Sequence, residues 1–84
     1  NDEELKALSA RVVRAAPNYG PANEMRAFVL SGRCDAWGVG PRSAAELKEA
    51  ATHYDQAAAL QPAPAGKAQL TDQAAWCRSK AGAM

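Results

Sequence analysis

Eighty-four residues and 8.8 kDa make one domain, 1–84, expected to bury roughly 63% of its unfolded surface, enough for a single modest core. Its 21 alanines, its lack of isoleucine and only 17 Leu, Val, Phe, Met, Trp and Tyr residues favour helix over strand, so the expected class is all-α. Ten basic and nine acidic residues, net +1, are scattered without a basic stripe, which argues against nucleic acid, and no apolar run approaches the about 18 residues of a membrane span.

The first helix is expected over about 2–16. Asp2, Glu3 and Glu4 put negative charge where the helix dipole favours it, and Leu5, Leu8, Val12 and Ala16 share a face. Pro17 stops this helix, and Asn18-Tyr19-Gly20-Pro21 reads as a turn in which Pro21 is preset for a second helix over 21–32. Met25, Phe28 and Val29, with Ala22 behind them, are its expected buried face, and Gly32 is placed to close it in the left-handed conformation. Residues 33–42 (RCDAWGVGPR) are too broken by Gly and Pro for regular helix and read as a long loop.

Ser43 and Glu46 have the spacing of a capping box, in which each side chain satisfies the other residue's free backbone N–H, and start a third helix over 43–61. Its stripe is Leu47, Ala51, Tyr54 and Ala58, widened by Ala50 and Ala57 and ended by Leu60-Gln61-Pro62. Beyond the turn at 62–66, Leu70, Ala74, Cys77 and Ala81 repeat at helical spacing. They predict a fourth helix over 65–81, the alternative being a shorter one capped by Thr71-Asp72.

Cys34 and Cys77 stand 43 positions apart, with no CxxC and a single His, so a structural metal site is not expected. Joined, they would close a loop worth about 4 kcal/mol in chain entropy and would place the protein in an oxidising compartment. Unjoined, they are small thiols of a cytoplasmic helical protein. The bridge, with a start at Asn1 that has no initiator Met, leads to a periplasmic or secreted expectation. Abundant alanine without isoleucine suggests a GC-rich bacterial genome.

The third helix and its exit, Glu49 to Pro62, resemble the second helix of a tetratricopeptide repeat, whose pattern is small, aromatic, small and then Pro. Ala50, Tyr54, Ala57 and Pro62 occupy those places with the family's spacing. Val12 to Tyr19 resembles the end of a preceding repeat's second helix, the second helix here a first helix, and the fourth a closing helix that covers the open end of a stack. The resemblance implies antiparallel helical hairpins in a right-handed superhelix. Departures are plain: Pro17 to Pro62 is 45 residues against the family's 34, a period that also overlaps the HEAT and armadillo range. The excess is the loop around Trp37, similar to longer-turn relatives of the family. Met25 stands where Trp is usual and Val29 where Gly is usual.

What the resemblance implies for function is a non-enzymatic module that binds a peptide or protein partner, without a cofactor. First helices line the concave face in this family, which transfers groove positions to Asn23, Arg26, Leu30 and Arg33. Asn23 would bond a peptide amide, and either Arg a carboxylate. Trp37 either folds back on the core or stands out as an interface anchor. The second reading is a self-associating bundle, a homo-oligomer packed through Trp37, Trp76 and the alanine faces. A third is a helical enzyme using Cys34 or His53, with weak grounds: Asp55 lies two residues from His53 on the same helix and faces elsewhere.

Overall fold

A computed structural model describes residues 1–84. Four helices follow one another: α1 (Asp2–Ala15), α2 (Gly20–Ser31), α3 (Ala44–Leu60) and α4 (Pro64–Gly82). There are no strands, and the class is all-α. Each helix packs chiefly on the next, α1 on α2, α2 on α3 and α3 on α4. The result measures 32 × 30 × 21 Å.

Local chemistry sets the boundaries. Asn1 caps α1 in a reciprocal box with Glu4, and Ser43 does the same for α3 with Glu46. Pro lies in the first turn of both α2 and α4, where its missing N–H costs nothing. Gly32 closes α2 at φ 68, and a Cβ there would meet the Arg42 side chain at 2.8 Å. The longer form of α4, begun at Pro64, is the one present.

The core lies on α3. Leu47, Ala50, Ala51, Tyr54, Ala57 and Ala58 are buried there, and Leu70, Ala74, Cys77 and Ala81 face them from α4. Ala27, Ala50, Ala51 and Ala74 have no exposed surface, so the helices meet through methyl groups and approach closely.

Two faces differ from expectation. On α2, Val29 is buried, but Phe28 is 43% exposed and Met25 only half-buried, while Ala22, Asn23, Ala27 and Leu30 turn inward. Packed between α1 and α3, this helix buries Ala22 and Ala27 where backbones come close, with Val29 and Leu30 toward its end, and leaves Met25 and Phe28 facing outward. On α1, Leu8 is 40% exposed, and Asp2 and Ser9 are the buried residues. Asp2 is held there by a distant partner, Arg42. Its carboxylate takes two hydrogen bonds from that guanidinium, at 2.7 and 2.8 Å, one from Trp37 Nε1–H at 2.9 Å and one from the Gly40 N–H. Arg42 also donates to the Val29 carbonyl, so one buried cluster ties the start of α1 and the loop to the end of α2.

The disulfide expectation is corrected: Cys34 and Cys77 are both free thiols. Cys77 is sealed in the α3–α4 core, whereas Cys34 sits half-buried in the loop with its sulfur facing the Ala36 N–H.

Candidate functional site

A concavity of about 670 Å³ forms an open groove with α2 on one side and α4 on the other. Pro21, Glu24, Met25 and Phe28 form the α2 wall, and Gly66, Gln69, Leu70 and Gln73 the α4 wall. Each set follows the spacing i, i+3, i+4, i+7, one face of a helix. Tyr54 of α3 lies between them, Gln61 marks the end at the α3–α4 turn, and Arg33 lines the groove just past the C-terminus of α2.

Large apolar side chains and amides share this surface. Phe28 stands 6.2 Å, edge to face, from Trp37, which braces it from the loop side. Burial pushes the Tyr54 phenol above its ordinary range, with Ser31 acting in the opposite sense. Tyr54 therefore stays a neutral part of the groove through physiological pH. Arg33 donates to Gln73 Oε1 and lays its guanidinium 4.2 Å from the centre of the Trp76 ring, bridging the end of α2 to α4. Lys80 Nζ approaches the same ring at 5.8 Å. Arg33, Trp76 and Lys80 also line a second cleft of about 460 Å³ that adjoins the groove at Arg33.

Of the residues transferred from the repeat resemblance, Arg33 lines the groove. Asn23 has no exposed surface: its amide NH2 donates to the Pro17 and Tyr19 carbonyls, and its Oδ1 faces His53 Nδ1 at 2.9 Å. With the Asn23 amide protons committed, the imidazole donates from Nδ1. Arg26 is paired with Glu49 at 3.0 Å and donates to Ser9 Oγ and the Lys6 carbonyl, pinning α1 to α2 and α3. Leu30 is core. Trp37 is folded back, its indole N–H on Asp2. The positions are displaced because the exposed arc of α2 carries Glu24, Met25 and Phe28.

The three side chains weighed for catalysis lie apart in their bonding. His53 faces Asn23 and Glu49, Asp55 is ion-paired with Arg78, and Cys34 meets only the Ala36 N–H. Burial pushes the Cys77 thiol up, opposed by Arg33 and Arg78. No three His, Cys, Asp or Glu side chains are grouped to hold a metal ion. No helix is long and apolar enough to cross a membrane.

A signal for the groove was present in the sequence. Its walls, 21, 24, 25, 28 and 66, 69, 70, 73, are offset by 45 residues throughout, the spacing that separates Pro17 from Pro62. Comparison with known proteins adds nothing to this: no family model, curated protein or solved structure matches the chain.

Proposed function

We propose that this chain is a non-enzymatic interaction module, a tetratricopeptide-like pair of helical hairpins that binds a peptide or protein segment in the groove between α2 and α4. The observation that carries the reading is the 45-residue offset of the two walls. It supports reading α2 and α4 as equivalent first helices of successive units, with α3 between them. The packing accords with that equivalence. Asn23, Ala27 and Leu30 of α2 are buried, whereas Ala68, Asp72 and Ala75, 45 positions on, are exposed on α4, as on a closing helix whose outer face has no further unit packed on it. The groove supplies apolar contact through Met25, Phe28 and Leu70 and backbone-like hydrogen bonding through Gln69 and Gln73.

Self-association through the tryptophans has less support. Trp37 is bonded to Asp2, Trp76 lies under Arg33, and the core alanines are already used between helices. With both thiols free, the disulfide argument for a periplasmic or secreted protein falls away.

Selection of random peptides displayed on phage against the immobilised chain tests the proposal. Enriched peptides should lose more than tenfold in affinity with Met25→Asp on one wall and with Gln69→Trp, which fills the groove, on the other. Neither residue is buried, so helix content should be unchanged. Failure to enrich any peptide, or peptides that bind both variants as well as wild type, would refute it.

A further inference from the structure

We propose, resting on the groove reading above, that its occupant is an extended peptide segment carrying an internal Asp or Glu. That carboxylate is received by Arg33 and Lys80 at the Trp76 ring, and a neighbouring apolar side chain lies on Met25 and Phe28.

Most of the other cations at helix contacts are neutralised: Lys6 pairs with Glu46, Arg26 with Glu49, Arg42 with Asp2 and Arg78 with Asp55, while Lys67 donates to the Ala58 carbonyl. Arg33, just past the end of α2, and Lys80, one turn beyond Trp76 on α4, stand 4.2 and 5.8 Å from the centre of that one indole ring, and neither has an acidic partner. Asp35, two residues from Arg33, makes no ion pair with it. The quadrupole of the ring attracts each cation, but the two repel one another, and an anion received by both removes that repulsion. The planar guanidinium supplies the forked donor geometry that a carboxylate accepts.

Arg33 lies at the junction of the two clefts, so a ligand in the groove reaches it. The second cleft continues past this point, lined by Trp76 and Lys80, which leaves room for a chain to run on. The fitting carboxylate is therefore a side chain within the segment and not a chain end. Glu24 sets the direction. It lines the groove nine positions before Arg33, on the order of 13 Å at helical rise and about four residues of extended peptide. Its charge disfavours a second acid there and favours a base, so the segment runs in one orientation.

The test uses the same displayed library, with random heptapeptides fused through their C-termini so that no free carboxylate is offered. The best enriched peptide is made with both ends blocked and a fluorescent label, and its binding is read by polarisation. The expected peptide carries one Asp or Glu beside a large apolar residue. Replacing that acid by its amide weakens binding at least tenfold, about 1.4 kcal/mol. The pair Arg33→Gln and Lys80→Gln causes the same loss, after which the amide peptide binds no worse than the acid. Arg33→Glu with Lys80→Glu then prefers a peptide bearing Lys in place of the acid. Both residues are exposed, and melting of each variant is followed by circular dichroism. Enriched peptides without an acid, or an acid whose removal costs as much in the double Gln variant as in wild type, would overturn this inference. The groove reading would survive if Met25→Asp and Gln69→Trp still abolished binding. Enriched peptides indifferent to those two variants would overturn both.

Discussion

Ala50→Leu puts the close approach of the helices to a test of sign. Leucine adds three carbons at a position with no exposed surface, on the α3 face that meets Ala27, Ala74 and Cys77 in one cluster. Counted only as apolar burial, those carbons would stabilise the fold by about 2.4 kcal/mol, at about 0.8 per methylene. Counted as packing, they have nowhere to go, because methyl groups set the helix separation, and overpacking of this kind costs about 1–3 kcal/mol. In a domain of this size the loss lowers the thermal midpoint by roughly 5–20 °C. The assay is helical ellipticity followed through heat and denaturant unfolding. Ala59→Leu on the exposed face of α3 serves as control and should change stability by less than about 0.5 kcal/mol. A midpoint for Ala50→Leu at or above wild type, with the control unchanged, would show that α3 is not held against its neighbours by small-residue contacts.

Arg42, and after it Trp37, hold the Asp2 carboxyl well below the usual carboxylate range. The unfolded chain, with Asp near its ordinary pKa of about 3.9, binds more protons there, so this stabilisation is full above that value and is lost as pH falls below it. Denaturant midpoints measured from pH 6 to pH 2 should fall more steeply for wild type than for Asp2→Asn, and parallel curves would contradict the buried pair. Cys34 should alkylate in the folded protein without reductant, and Cys77 only on unfolding; a need for reductant at either would restore the bridge. Asn23→Ala removes the donor to the Pro17 carbonyl and the acceptor for His53, at about 1–3 kcal/mol in denaturant unfolding. No measurable loss would place that side chain in solvent.

The sequence was most legible where one helix face meets neighbours through regularly spaced residues. The stripes of α3 and α4 match the buried residues, because Leu47, Tyr54, Leu70 and Cys77 recur at helical spacing among alanines. The caps at Ser43 and Gly32 were legible because each depends on residues within one turn. On α2 the hydrophobic pattern pointed rightly to Val29 and Ala22 but also to Met25 and Phe28, and in a helix packed on two sides Ala27 and Leu30 went inside in their place. Asn23 followed them because carbonyls of the preceding turn satisfy its amide. Burial of Asp2 depends on Arg42, 40 residues away, and no local pattern carries that. The groove was missed for the same reason as the α2 face: residues assigned to the core form its wall. The 45-residue offset was visible in the prolines, and extending it to Met25 and Leu70 would have found both walls.

The most direct test of the account is a two-dimensional amide NMR titration of the labelled full chain with a selected heptapeptide. Binding between α2 and α4 predicts shifts concentrated at 21–33 and 61–80, with Met25, Phe28, Gln69, Gln73 and the Trp76 indole among the most affected. The separate cleft around Val13, Asn18 and His53, which shares no lining residue with the groove, should be unmoved. Shifts gathered in that cleft would contradict the groove as the working surface of this protein.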